Sequence, residues 1–554
     1  MSTLRRSLVL VGCALVFGLA ASSPTLAAPA LERGAVAAPE EQAAKIGGEI
    51  LRRGGNAVDA AIAVQFAIAV TNAIGTGIGG GGFMLIHDPE AAEVVALDYR
   101  ETAPAGAHRD MFLDDAGDVD APLSIHSALA SGVPGTVRGM AALHERYGTL
   151  PWTELLEPAI DLAANGFSID PWTAGKIGEY EDVFAKVDAR FREQVEFRLY
   201  FQEGSDRMTI PDLAKTLRRI ADDGPDEFYT GETAALIVAE MKRGGGLISA
   251  SDLAAYRPVW RKPVAGEYRG YRIVSMPPPS SGGVILIEFL NMLEDFEPPP
   301  PQSPAQIHLL AEVAKRVFAD RAEYLGDPDF VDVPVDVLTD KDYARHRAAG
   351  IDPARRTDPT TIEAGEIHVG VSVDGQTTHF SIVDRDGLAV SNTTTMNTGY
   401  GSGLVVDGAG FLLNSQMNDF SAKPGVPNVY GVTGSAANEI APGKRPLSSM
   451  TPTMVYSPAG DLIMVLGSPG GSTIISTVLE VIVNVIDYGL PLAEAVDLPR
   501  FHHQWPPLKP EDDVILLELD ERFDLTRETL APLLDLGYTL GEIESLGDVQ
   551  AVGI

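Results

Sequence analysis

The sequence predicts an α+β fold, one globular unit in which helical and strand-forming stretches alternate without a regular period. Three observations lead there. The chain has 554 residues, of which 45% are hydrophobic, enough to bury a large core. Apolar helical runs interleave with strand signals, with neither an internal repeat nor a flexible interdomain linker. Residues 377–395 read as strand, turn and strand. Length alone would suggest roughly two to four domains, but nothing along the chain requires separable ones.

The elements follow in order. Pro39 with Glu40 and Glu41 opens a helix that stops at Gly54-Gly55, and Val58 to Val70 reads as a buried, nearly all-apolar helix. After a loop from Pro298 to Pro301, Ser303-Pro304-Ala305-Gln306 supplies an N-cap, a first-turn proline and a capping-box glutamine for a helix running toward Tyr324. The hairpin turns at Asp384-Arg385-Asp386-Gly387. With Arg385 and Asp386 as its loop, Thr377 faces Thr394; a one-residue bulge brings Thr395 there instead. Gly467-Ser468-Pro469-Gly470-Gly471 leads into a helix from Ser472 to Ile486, which ends before Gly489.

Charge excludes whole classes of function. Lys and Arg total 42 against 77 Asp and Glu, a net −35 that repels nucleic acid and anionic membranes. Met1 to Ala27 looks like a secretory leader, with Arg5-Arg6, an apolar stretch from Leu8 to Ala21 and small residues ending at Ala27. Its apolar part is short for a membrane span, and no later segment is long and apolar enough for one, so a periplasmic or secreted location without a transmembrane anchor is expected. The sole cysteine, Cys13, lies in that leader, where Leu10-Val11-Gly12-Cys13 weakly resembles a lipoprotein box. The mature chain therefore has no disulfide, thiol nucleophile or cysteine metal site.

Several motifs fail on context. Gly75-Thr76-Gly77-Ile78-Gly79-Gly80 fits a dinucleotide fingerprint but follows a helix and precedes strand-like Phe83 to Ile86, the reverse of the required order. Gly443-Lys444-Arg445 lacks the hydroxyl residue of a phosphate loop, and the zinc-protease and serine-hydrolase patterns are absent. His502-His503 point to opposite faces of a strand and have no acidic partner at ligand spacing, so both are read as structural.

Gln376-Thr377 reads as a scissile bond whose cleavage exposes an N-terminal threonine. A free α-amino group titrates near ~8 and can take the threonine hydroxyl proton at neutral pH. Downstream, Gly470 and Gly471 at a helix N-terminus leave backbone N–H groups for a developing anion.

Ordered motifs then give a resemblance. They are Gly54 to Ala61, Gly79 to Gly82, Tyr99-Arg100-Glu101, Ala130 to Gly135, Gly224 to Tyr229, Met276 to Gly283, Tyr324 to Pro328, Thr377 to Asp384, Asn414 to Phe420, Arg445 to Met450, Gly467 to Ser472 and Pro499 to Trp505. In order and spacing they resemble the γ-glutamyltranspeptidase family over nearly all of the chain after the leader.

The resemblance implies the N-terminal nucleophile hydrolase fold, a four-layer αββα sandwich cut before Thr377 into a large subunit (28–376) and a small one (377–554) that stay together as a heterodimer. It implies Thr377 as nucleophile with Thr395 beside it, and Gly470 and Gly471 as the oxyanion site. Asp419, Asn397 and Gln416 would take the α-ammonium of a γ-glutamyl group, and Arg100, Ser448 and Ser449 its α-carboxylate. Tyr430 would close a lid formed by Pro427 to Ile440. Glutathione and related γ-glutamyl compounds would be donors, and water, amino acids or dipeptides acceptors, with no metal or organic cofactor. A glutaryl-cephalosporin acylase and an unprocessed binding protein are the rival readings. Asp419 speaks against the acylase, because a glutaryl chain has no α-ammonium for it to hold. The family continues past Gly547 to Ile554 through a further strand, so a missing C-terminal end, with an exposed sheet edge, is also expected.

Overall fold

The computed structural model describes residues 34–169, 187–192, 207–364, 377–506 and 512–554. The leader with Cys13, and Gln376 at the expected cleavage point, lie outside the described residues.

The chain begins with β1 (Ala35–Ala37), α1 (Glu41–Arg52) and α2 (Ala57–Thr71). Then come β2 (Gly81–Asp88), β3 (Glu93–Asp98), α3 (Thr136–Tyr147), α4 (Trp152–Asn165) and α5 (Pro211–Asp223). The middle of the chain supplies β4 (Val259–Arg261), β5 (Val264–Tyr268), β6 (Tyr271–Ser275), α6 (Gly282–Leu293) and α7 (Pro304–Tyr324). After the expected cleavage point follow β7 (Thr377–Val383), β8 (Ala389–Thr395), β9 (Thr453–Tyr456), β10 (Leu462–Gly467), α8 (Ile474–Ile486) and β11 (Gln550–Gly553).

Two antiparallel sheets lie at the centre. The first is six-stranded in the order β1-β7-β8-β2-β3-β4, the second five-stranded in the order β11-β10-β9-β6-β5. Side chains alternate across the first sheet as strand geometry dictates: Met84, Ile86, Phe380, Ile382 and Val390 join an apolar cluster with α2, α3, α4 and α5, while Phe83, Leu85 and Ala96 join a second one with the other sheet and α6, α7 and α8. The layers are therefore helix, sheet, sheet, helix, which is the expected four-layer sandwich.

The expected helices form, for identifiable reasons. Asn56 and Asp59 make a reciprocal capping box at the start of α2, and every residue of that helix is buried. Small residues let it sit close: a methyl group added at Gly47 of α1 would lie 2.9 Å from Val64. In α7 the Ser303 hydroxyl accepts from the Gln306 amide at 3.2 Å, but the Gln306 side chain accepts from Gln302 rather than from Ser303, so the box is only half made.

The hairpin adopts the bulged register. Thr377 pairs with Thr395, not Thr394, because the turn has three residues and Gly387 sits at φ +90°. Asp384 fixes it, accepting from Asp386 at 2.9 Å and Leu388 at 3.1 Å through one oxygen and from the first amide of α2, Ala57, at 3.0 Å through the other. The glycine run at 79–80 also has a packing reason: methyl groups there would come within 2.0 Å of the Leu412 carbonyl and 2.3 Å of the Thr395 carbonyl.

Candidate active site

Thr377 opens β7, and its partner Thr395 closes β8. Directly opposed residues of an antiparallel pair project from the same face, so the two hydroxyls meet, Oγ1 to Oγ1 at 3.4 Å. Thr395 Oγ1 also accepts from the Asn397 amide at 2.9 Å. Both threonines are buried and line one cavity.

The same cavity is lined by Arg100, Asn397, Gln416, Asp419, Tyr430, Ser448, Ser449 and Gly471. Every site residue expected from sequence thus borders it except Gly470, one residue outside the lining, and the undescribed Gln376. The loop from 396 to 450 contributes most of the wall, and Arg100, at the end of β3, arrives from the other side of the expected cut.

The same cavity holds an ion pair. Arg100 Nη2 donates to Asp419 Oδ2 at 2.5 Å and to the Leu447 carbonyl at 3.2 Å, and Nε donates to the Pro446 carbonyl at 3.3 Å. Gln416 donates to the same Asp419 oxygen at 2.7 Å, and Asn428 to the other at 3.3 Å. Burial raises the Asp419 pKa above the usual carboxylate range, and the neighbouring Arg100 charge opposes the shift. The two groups expected to hold the α-ammonium and the α-carboxylate of one amino acid head are therefore in direct contact. Behind them Glu101 is fully buried with both oxygens unbonded, and burial pushes its pKa up to about 8, which leaves it neutral at pH 7.

The hydroxyl pair Ser448-Ser449 lies next to this. Ser448 Oγ accepts from the Met450 amide at 3.1 Å, and Ser449 Oγ accepts from Arg321 Nη2 at 3.0 Å. Arg321 and Asn428 are cavity residues that the sequence reading missed. An arginine in the last turn of a long helix reads as a helix-end charge, and an asparagine in a polar loop carries no signal of its own.

Tyr430 is buried and lines the same cavity. Its hydroxyl donates to the Asn397 side-chain oxygen at 2.5 Å, and its ring lies against Gly471, where an added methyl would come within 2.6 Å. Asn397 Nδ2 donates to the Ser415 carbonyl at 2.8 Å, so both ends of that side chain already have partners. Gly470 and Gly471 adopt φ +137° and +60° just before α8, and among the described residues their amides donate no hydrogen bond. Unpaired amides at a helix start favour negative charge.

His502-His503 need one correction. An acidic partner does exist: His503 Nε2 meets Asp513 at 2.6 Å, ten residues on, where β-pairing of the C-terminal segment rather than local spacing delivers it. Asp513 also holds Lys315 at 2.8 Å, so the pair belongs to a buried ionic network, and among the described residues no three metal-ligand side chains cluster.

Two stacked antiparallel sheets between helical layers, with a threonine opening a central strand at the mouth of a polar cavity, define an N-terminal nucleophile hydrolase. A family model described as gamma-glutamyltranspeptidase matches residues 43–554, and the chain belongs to that family. It is 47% identical to the glutathione hydrolase proenzyme of Pseudomonas aeruginosa over 97% of this chain and 94% of that protein. Against the glutathione hydrolase proenzyme of Escherichia coli the identity is 46%, over 94% and 88%. Among solved structures, a cephalosporin acylase from Bacillus halodurans superposes with a TM-score of 0.80 at 27% identity, covering 94% of this chain and 91% of its own. A γ-glutamyltranspeptidase from Pseudomonas nitroreducens, complexed with L-DON, gives 0.57 at 43% identity over 60% of this chain and 99% of its own.

Proposed function

We propose that this protein transfers γ-glutamyl groups from glutathione and related donors to water or to amino acids and dipeptides, after cutting itself before Thr377. The observation that carries the reading is the joint presence, in one small cavity, of a hydroxyl pair at a strand opening and a buried carboxylate–guanidinium pair flanked by two serines. An amino acid head group needs both charges; a glutaryl chain would leave Asp419 without a ligand. That favours the transpeptidase over the acylase, despite the acylase's close superposition.

In maturation, Thr377 Oγ1 attacks the Gln376 carbonyl carbon, the peptide C–N bond breaks, and the nitrogen takes the hydroxyl proton. Water then hydrolyses the resulting ester, giving a Gln376 carboxylate and a free Thr377 amine. Fragments 28–376 and 377–554 remain a heterodimer, because both central sheets draw strands from each side of the cut. In catalysis the Thr377 amine takes the hydroxyl proton while Oγ1 attacks the donor γ-carbonyl carbon, and the oxyanion is met by the Gly470 and Gly471 amides. Collapse expels the amine product, which receives that proton, and leaves a γ-glutamyl ester. Water or an acceptor amine attacks the ester carbon and returns Thr377 Oγ1 to its hydroxyl form. Asp419 with Gln416 holds the α-ammonium, Arg100 with Ser448 and Ser449 the α-carboxylate, and Tyr430 covers the cavity through Asn397.

The leader-like start implies that this happens in the periplasm or outside the cell. Among the described residues no helix is long and apolar enough to cross a membrane. Purified protein incubated with γ-glutamyl-p-nitroanilide tests the whole reading: release of p-nitroaniline by a two-band preparation supports it, and a processed protein inert on that substrate but active on glutaryl anilides would replace it with the acylase.

A further inference from the structure

Among the described residues most buried cations have a carboxylate within ion-pair distance. Lys315 lies 2.9 Å from Glu312 and 2.8 Å from Asp513, and Arg261 lies 2.8 Å from Asp98. In the cavity itself Arg100 is tied to Asp419 at 2.5 Å. Two buried cations have none: Lys444 donates to the Ala437 and Glu439 carbonyls instead, and only the other, Arg321, lines the cavity. It is 4% exposed, burial pulls its pKa down to about 10, and no carboxylate lies within ion-pair distance of it among the described residues. Glu101, neutral at pH 7, supplies no anion either. The Asp419 charge acts on it only from beyond ion-pair distance, and a buried guanidinium without a paired carboxylate is costly unless a ligand brings one.

The hydrogen bonds around Arg321 show where that ligand charge would sit. Its Nε donates to Ser281 Oγ at 2.9 Å, and Ser281 Oγ in turn donates to the Ser448 carbonyl at 2.6 Å. Its Nη2 donates to Ser449 Oγ at 3.0 Å. A hydroxyl that accepts from a guanidinium must point its own hydrogen elsewhere, and Ser449 Oγ has no other partner among the described residues. Ser448 Oγ accepts from the Met450 amide and is in the same condition. Two hydroxyl hydrogens and one unmatched positive charge therefore converge on one wall of the cavity, the donor set a carboxylate requires.

We propose that Arg321 is the positioning residue that makes this cavity select donors carrying an α-carboxylate, supplying the pocket's unmatched positive charge and turning the Ser449 hydroxyl toward the ligand. The proposal rests on the γ-glutamyl reading above. On it, Arg100 grips the α-carboxylate while paired with Asp419, and Arg321 adds a second positive charge and orients the Ser449 hydroxyl. The rival is a purely structural role, in which Arg321 props up the Ser448–Met450 turn and its loss harms every ligand alike.

The test uses fully processed enzyme with γ-glutamyl-p-nitroanilide as substrate and two competitive inhibitors, L-glutamate and 4-aminobutyrate, which differ by the α-carboxylate alone. Arg321→Met should raise KM for the anilide at least about tenfold while kcat stays within about threefold. Inhibition by L-glutamate should weaken in step with that KM, and inhibition by 4-aminobutyrate should not change. Equal weakening for the two inhibitors, or unchanged L-glutamate inhibition, overturns the assignment. If the methionine variant does not mature, Arg321→Lys carries the same comparison, since it keeps the charge and loses the fork: a loss confined to L-glutamate supports the proposal and an equal loss refutes it. A wild-type enzyme inert on the anilide would instead refute the γ-glutamyl reading itself.

Discussion

Arg100 and Asp419 lie 319 residues apart in sequence, on opposite sides of the expected cut, and meet in a buried ion pair of 2.5 Å. The contact ties the two prospective subunits together beside the cavity, and on the γ-glutamyl reading it couples the groups that hold the α-ammonium and the α-carboxylate. Asp419→Asn keeps the shape and removes the charge, so activity on γ-glutamyl-p-nitroanilide should fall at least about a hundredfold, and Arg100→Lys should raise KM with self-cleavage intact. Because each residue holds the other, the double variant should lose less than the sum of the single losses, by at least about 1 kcal/mol in a double-mutant cycle. Additive losses would mean that the pair does not act as a unit.

Self-cleavage gives a second prediction. Thr377→Ala should remain one chain and be inactive, and the small fragment of the wild type should begin at Thr377 on N-terminal sequencing. A fragment starting anywhere else would remove Thr377 as the nucleophile.

Gly471 offers a third. Its φ of +60° costs an alanine about 1 kcal/mol, and the added methyl would press on the Tyr430 ring at 2.6 Å, driving the lid off Asn397. Gly471→Ala should therefore lower kcat/KM at least about tenfold. Gly460→Ala is the control: its φ is +94°, but an added methyl meets nothing within 4 Å, so backbone strain alone is tested there. Equal activity of the two variants would rule out contact with Tyr430 as the cause.

The pH dependence of stability supplies a fourth. His379 is fully buried between Thr393 and Ser381, and burial lowers its pKa from 6.5 to about 3. The unfolded chain binds that proton from pH 6.5 downward and the folded one does not, so the contribution is fully present above 6.5 and is lost as pH falls toward 3, by up to about 1.4 kcal/mol per pH unit. Going from pH 7 to pH 5 should cost the wild type about 2 kcal/mol more than His379→Gln in urea unfolding, because the other buried histidines are common to both proteins. Parallel losses would show that His379 titrates normally.

Much of this was legible locally. The N-cap and first-turn proline of α7 and the glycines before α8 are signals contained within a few residues, and they formed where expected, although the Gln306 side chain completed only half of its box. The register of the hairpin was open at that level. Whether Thr394 or Thr395 faces Thr377 depends on one bulge residue, and Asp384 selects it by anchoring the turn to the distant N-terminus of α2. The acidic partner of His503 was hidden for a related reason, since Asp513 stands just before the strand 514–517 that pairs with residues 501–502.

By itself the sequence determined the elements, the strand-opening threonine and the family, because each rests on short-range chemistry or on ordered motifs. Tertiary structure alone decided the charge pattern of the cavity. Arg100 pairs with Asp419 while Arg321 has no carboxylate within ion-pair distance among the described residues, and that partition follows from where a loop of residues 396–450 folds over β3 and the end of α7. Which charges are neutralised is a matter of distances between residues far apart in the chain, and no local pattern encodes them.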